Sequence, residues 1–456
     1  MSNKIPVQQI DPTDTSIYVR RTKGIFQRLR FYGGLLLFSL FFGSSWLSWQ
    51  GRQAILFDIP NRQFHFWSMT FWPQDFILLT LLLIILAFTL FLVTVFAGRI
   101  WCGYTCPQSV WTWIFIFIEE KLEGGRNKRI RQDQHQFSFA LFIRKLSKHL
   151  LWLLVGLATG LAFVGYFVPI RELSTDLASF NLNGWSAFWL GLFTIATYLN
   201  AGWMREKVCI YICPYARFQS VMFDSDTLIV SYDQARGEPR GARKKEAEHQ
   251  LGSCIDCELC VQVCPVGIDI RDGLQYECIS CAACVDACDS IMDKMNYPRG
   301  LIRYSTENEL NGQQTHWLRP RLFGYGFALL SMLLIFGLFL NARVAVDLSV
   351  SRDRQQINRL LTDGQIENTY NLMVMNLDTH ERLFDLSIAS EHEFNWQGPR
   401  QILVPGASNQ SVAVSLQAPA EKFTTPSSSF NFVVQAVDDP KVRKEQSSSF
   451  ISSGVR

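Results

Sequence analysis

Residues 254–265 read Cys254-Ile-Asp-Cys257-Glu-Leu-Cys260-Val-Gln-Val-Cys264-Pro265, and residues 278–288 repeat the spacing as Cys278-Ile-Ser-Cys281-Ala-Ala-Cys284-Val-Asp-Ala-Cys288. This is the bacterial ferredoxin spacing, written twice. In two-cluster ferredoxins three close thiolates hold one cluster and the displaced fourth reaches across to the other. The expected sets are therefore Cys254, Cys257 and Cys260 with Cys288, and Cys278, Cys281 and Cys284 with Cys264. Paired CxxC motifs also bind zinc, but a tetrahedral zinc ion needs four thiolates and has no use for the doubled spacing. The block predicts an α+β, ferredoxin-like domain over about residues 245–297 holding two 4Fe-4S clusters. Asp289 follows Cys288 where soluble ferredoxins carry proline. With Asp286 and Asp293 it would add negative charge near a cluster, opposed by Lys294.

The chain has 12 cysteines, and the other four form a second repeat, Cys102-Gly-Tyr-Thr-Cys106-Pro107 and Cys209-Ile-Tyr-Ile-Cys213-Pro214. Tight spacings with no thiol left over indicate metal or redox work in a reducing compartment, not the scattered cysteines of a secreted disulfide scaffold. Arg99, Arg205 and Lys207 precede these CxxxCP motifs and are expected to favour thiolate over thiol. If both motifs emerge on one face, Cys102, Cys106, Cys209 and Cys213 can form a four-sulfur site. Soft thiolates select Cu(I), zinc or iron-sulfur clusters. A dithiol relay and inert packed thiols stand beside that reading.

Outward from the cysteines, apolar residues are bunched into long runs. Five uncharged stretches can each cross ~30 Å of hydrocarbon: the run between Phe31 and Gly51, then residues 76–98, 150–170, 177–204 and 322–342. The first is too long for a signal-peptide core and is expected to stay as an anchor. The N-terminal segment (1–31), the 99–149 loop and the 205–321 loop are rich in Lys and Arg, while 51–75 and 171–184 are poor. By the positive-inside rule the three basic parts face the cytoplasm, and the C-terminus lies outside. Val110–Ile118, shorter than a span, reads as interfacial or re-entrant, with Trp101, Trp111 and Trp113 as headgroup anchors.

From Arg343 onward cysteine is absent and period-2 alternation appears in Val344–Leu348, Val412–Leu416 and Phe430–Phe432. That pattern predicts a periplasmic, immunoglobulin-like β-sandwich over 343–456, with a disordered tail of about fifteen residues. The expected order is a membrane domain over 32–204 with four spans, the cytoplasmic region 205–321, a fifth span at 322–342, and the sandwich. A net charge of +3 gives no reason to expect nucleic acid. No histidine lies inside a span, so bis-histidine haem is not expected. No GxGxxG follows a strand, so a flavin or nicotinamide site is not indicated and electrons must come from a partner.

The stretches WCGYTCPQSVW, CIYICPYARFQSVMFD and the long segment from Cys254 to Tyr304 resemble the CcoG/FixG/RdxA family over the full chain. Asp289 after Cys288 is consistent with that family. The resemblance implies an accessory factor for assembly of cbb3-type cytochrome c oxidase, in the bacterial inner membrane. It further implies a cytoplasm-facing reductase turning Cu(II) into Cu(I), with the eight block cysteines as cluster ligands and the CxxxCP cysteines as the copper or thiol-redox site. Copper is then substrate or bound ion. The partners implied are the bilayer, oxidase assembly components or copper chaperones and an electron donor, with a homodimer left open. An electron conduit to or from quinol, and a non-enzymatic scaffold or copper chaperone, are the competing functions.

Overall fold

The helices of the chain begin with uncharged runs whose backbone groups can be satisfied only internally, and the computed structural model shows how far each run extends. It describes residues 17–134, 138–243, 251–353, 358–362, 364–378, 380–419, 421, 423 and 425–452. In chain order the helices are α1 (Ile25–Ser44), α2 (Phe76–Ala97), α3 (Ile100–Tyr104), α4 (Pro107–Glu123), α5 (Arg126–Gln134), α6 (Phe139–Val164) and α7 (Ile170–Ala178). They continue as α8 (Gly184–Thr197), α9 (Pro214–Met222), α10 (Gln234–Gly237), α11 (Leu259–Gln262), α12 (Ala283–Lys294), α13 (Glu307–Leu310) and α14 (Pro320–Asn341). Contacts divide the chain into two units, Met1–Leu47 with Thr80–Leu334, and Ser48–Leu79 with Ile335–Arg456.

In the first unit, α1, α2 and α6, and in addition α14, are the helices among the described residues long and apolar enough to cross a membrane. Two runs differ from the sequence expectation. The third starts earlier, at Phe139, and ends at Val164, because Gly165 to Pro169 turn the chain. The fourth, 177–204, is a 14-residue α8 that passes into a π-helical segment, Tyr198–Met204. Gly156-Leu-Ala-Thr-Gly160 on α6 lets α8 approach: a Cβ at Gly156 would sit 2.8 Å from the Thr194 carbonyl oxygen, the close packing small residues give membrane helices. Val110–Ile118, expected to be interfacial, is the middle of the continuous helix α4, whose Phe115 is fully buried and stacks on Trp152 of α6.

Buried charge joins these helices. Glu119 of α4 accepts from Arg129 at 2.9 Å and Arg205 at 3.0 Å, and Lys148 of α6 pairs with Glu123 at 2.7 Å. Arg129 is 2% exposed, so each charge needs its partner. The network anchors Arg205, and with it the start of the second CxxxCP turn.

The second unit is a sandwich of antiparallel sheets. One sheet runs Asn395–Gln397, Ser408–Pro419, Gln365–Asn376, Val346–Arg352, with Arg359–Leu360 also on Gln365–Asn376; the other runs Gln401–Val404, Arg382–Ala389, Ser427–Ala436, Arg443–Ile451. The alternation in the sequence places Val346, Leu348, Val414, Leu416, Phe430 and Phe432 in its core. The tail expected to be disordered is instead the edge strand Arg443–Ile451, with Phe450 fully buried; residues 453–456 lie outside the described residues. Residues 51–75, read only as a charge-poor loop, contain a three-stranded meander, Ile55–Asp58, Gln63–Phe66 and Met69–Phe71. Arg343 ties it within this unit, to Asp75 at 2.8 Å and the Thr70 carbonyl at 2.6 Å.

Candidate iron-sulfur and thiol site

The two halves of the cysteine block fold alike. Asp256 and Glu258 flank Cys257 with φ of 55°, and Ser280 and Ala282 flank Cys281 with φ of 52° and 56°. Left-handed non-glycine residues are costly, so four at matching positions mark a backbone wound around something. A two-stranded sheet, Ile229–Tyr232 with Ile302–Ser305, backs both loops.

Two cavities result. Cys264, Cys278, Cys281 and Cys284 line the first with Val230, Val266 and Ile268; Cys254, Cys257 and Cys288 line the second with Tyr232, Met292 and Leu301, and Cys260 touches both. Burial pushes Cys278 up to about 11 and Cys260 and Cys288 up to about 12. Buried thiols of this kind become thiolates when bound metal charge compensates them. Among the described residues no three His, Cys, Asp or Glu side chains converge on a point that could hold one ion. Four thiols around an apolar cavity suit the four corners of an iron-sulfur cube.

Arg271 braces the loop of the first motif, donating to Asp256 at 2.5 Å and Asp269 at 2.6 Å. Burial works against ionisation of Asp269, but hydrogen bonds from the Arg271 side chain and backbone N–H outweigh it and hold the carboxyl below its ordinary value. A depressed carboxylate contributes stability above the unfolded pKa of ~3.9, and loses it as pH falls through the lower folded value. Asp269→Asn is accordingly expected to melt at a lower temperature than the parent at pH 7. The gap should close below about pH 4, where the parent carboxylate protonates, in thermal scans followed by circular dichroism.

The three aspartates read as cluster charges have structural partners. Asp286 accepts the Phe26 and Gln27 N–H groups at 3.2 and 2.7 Å, capping the exposed amides of α1. Asp289 accepts from the Gly300 N–H at 3.0 Å, and Asp293 pairs with Arg299.

The CxxxCP motifs meet beside the second loop. Cys102 lies on α3, Cys106 and Cys213 immediately precede the prolines that start α4 and α9, and Cys209 lies in a π-helical turn, Val208–Ile212. The thiols are close enough to feel one another's charge. Burial above all, then Cys106, pushes Cys102 up to about 11 despite Arg99; burial and the other three thiols push Cys209 to about 12. At Cys102 and Cys209 the expected preference for thiolate is thus reversed, because removal from water outweighs the cations.

Gln219 and Gly103, which the sequence did not single out, and Arg99, which it named only for its charge, complete the arrangement. Arg99, 4% exposed, donates to the carbonyls of Tyr276, Cys278 (3.5 Å) and Ala216 (2.6 Å), binding the second cluster loop to α9. Gln219, fully buried, accepts from the Cys102 thiol at 3.6 Å. Gly103 lets α3 lie against the cluster loop: a Cβ there would stand 2.8 Å from the Cys281 Cα and the Ile279 carbonyl oxygen.

Apolar helices, a doubled cysteine block around two cavities and a terminal β-sandwich together define a membrane-bound iron-sulfur redox protein. Residues 204–307 match the 4Fe-4S dicluster domain, and residues 336–453 match the family described as "IG-like fold at C-terminal of FixG". Protein RdxB of Cereibacter sphaeroides is 40% identical, covering 82% of this chain and 82% of its own. Nitrogen fixation protein FixG of Rhizobium meliloti is 36% identical, covering 82% and 79%, and protein RdxA of C. sphaeroides is 35% identical, covering 90% and 91%. The chain belongs to the FixG/RdxA/RdxB family, as its motifs implied.

Proposed function

We propose that this protein is an electron-transfer protein of the bacterial inner membrane that reduces Cu(II) to Cu(I) at the CxxxCP thiols, for assembly of cbb3-type cytochrome c oxidase. Cys254, Cys257, Cys260 and Cys288 would hold one 4Fe-4S cluster, and Cys264, Cys278, Cys281 and Cys284 the other. Bound clusters supply one electron at a time to a nearby acceptor. The observation that carries the reading is the seat of α3 on the cluster loop: Gly103 brings the Cys102 helix into backbone contact with Cys281. Soft thiols stabilise Cu(I) over Cu(II), which favours reduction where they gather.

In this reading the thiols and the ferredoxin domain lie in the cytoplasm and the sandwich in the periplasm, as the positive-inside rule predicts from the basic loops. The fourth crossing is then α8 with its π-helical extension, which makes five. Anaerobically purified protein given dithionite should reduce Cu(II), followed with a Cu(I)-specific chelator. Cys102→Ala or Cys209→Ala should slow this at least about tenfold, the loss expected when a transition-state partner of ~1.4 kcal/mol disappears, with iron content kept. Undiminished reduction in both variants would sink the reading. Oxidase assembly supported by protein lacking all eight block cysteines would favour a scaffold instead.

A further inference from the structure

An open concavity in the first unit shares a wall with the cavity lined by Cys264, Cys278, Cys281 and Cys284. Val266, Ile279 and Ala283 line both spaces, so a molecule in the concavity stands one side chain from that cavity. Cys209 lines it too, and α4 contributes Trp113, Ile116 and Phe117.

The rim is cationic. Arg20, Arg21 and Arg30 reach it, and none of the three has a carboxylate within ion-pair distance among the described residues; Arg20 donates to the Gln262 amide at 3.1 Å. Arg205, by contrast, is taken up by Glu119. The carboxylates of Glu120 and Glu206 also line the space, but neither forms an ion pair with the rim arginines. The guanidinium of Arg21 lies over the Phe117 ring at 5.6 Å. Uncompensated arginines repel a free copper ion and attract an anion, best one whose oxygens fit a guanidinium fork. Flat aromatic and branched aliphatic side chains below them suit a planar ring.

We propose that this concavity binds reduced flavin mononucleotide, its ring between α4 and the cluster loop and its phosphate on Arg20, Arg21 and Arg30, as electron donor to the clusters. The inference rests on the cluster reading above, not on copper. A nicotinamide gives up two electrons together as hydride, whereas a flavin can part with them singly, as one-electron acceptors require. Oxidation of one reduced flavin releases two electrons, one to each cluster, and two protons to water through the open mouth. No bond to the protein forms.

The test uses full-length protein purified anaerobically in detergent and titrated with flavin mononucleotide, read by flavin fluorescence. Saturable quenching is expected. Arg21→Gln and Arg30→Gln should each weaken binding about tenfold, as loss of one charged phosphate contact does, and riboflavin, which lacks the phosphate, should bind more weakly than both variants bind the mononucleotide. Photoreduced flavin mononucleotide should bleach the cluster absorbance of the parent and do so slowly in the double variant, while dithionite bleaches both alike. Absence of saturable quenching, equal binding of riboflavin, or undiminished binding in the double variant overturns the proposal. So does bleaching by a neutral quinol, menadiol, at equal rates in parent and double variant where reduced flavin fails. Because binding is read without copper, failure of copper reduction is distinguishable from failure of this site.

Discussion

Alanine at Cys264 is expected to remove the cluster of the other motif and spare the cluster of its own. By sequence Cys264 closes the first motif, yet it lines the cavity bounded by Cys278, Cys281 and Cys284, while Cys288 lines the cavity of Cys254 and Cys257. Iron should fall from about eight to about four per chain, since each cube carries four irons and needs four anchoring thiolates. The cluster kept should be the one held by Cys254, Cys257, Cys260 and Cys288, and the mirrored variant Cys288→Ala should keep the other. Iron and sulfide analysis with EPR after dithionite separates the two, because the pair of signals in the parent should resolve into one different signal in each variant. The two cavities share Cys260, so some mutual disturbance is built in; Cys264→Ser, which preserves volume, checks that loss of the thiolate and not of packing is responsible. Loss of the same signal in both variants would contradict crossed ligand sets.

What the sequence made legible follows from how local the governing physics is. Cysteine spacing is local, since three thiols must reach one cube from a seven-residue loop. Hydropathy is nearly as local, which is why α2 and α14 fall where the uncharged runs lie. The π-helical break after Thr197 is not local. Gln108 of α4 donates to the carbonyls of Asn200 and Arg205 at 2.9 and 3.1 Å, and Glu119 holds Arg205, so partners 80 or more residues away decide the backbone there. The last strand was hidden for a different reason. Arg443-Lys-Glu-Gln-Ser-Ser-Ser-Phe-Ile451 has polar side chains at most of its positions because it forms the edge of its sheet, and only Phe450 is fully inside. The charges of Asp286, Asp289 and Asp293 were visible, but their partners Phe26, Gly300 and Arg299 were not, and the partners set what those charges do.

Gly103→Ala should separate cluster assembly from copper reduction, because the residue touches the loop and not a cysteine sulfur. An added Cβ would meet the Cys281 Cα and Ile279 carbonyl oxygen at 2.8 Å and the Cys281 nitrogen at 3.0 Å. Those are backbone atoms, which cannot rotate away as a side chain would, so α3 has to withdraw. Arg99 resists the withdrawal by holding the Tyr276 and Cys278 carbonyls at one end of α3. The strain should lower stability by about 1–3 kcal/mol, the usual cost of overpacking, readable as a lower midpoint in thermal scans. The cluster cysteines themselves keep their cavities, so iron stays near eight per chain. Copper reduction should nonetheless fall by roughly ten- to a hundredfold, the scale at which an ångström of misplacement is felt at a reacting centre. Since α3 carries Cys102, its withdrawal moves that thiol away from the second loop, and a retained rate with retained iron would mean that electrons leave by another wall. The candidate is the one formed by Ile279 and Ala283 toward Cys209, and Cys209→Ala in the Gly103→Ala background would then abolish what remained.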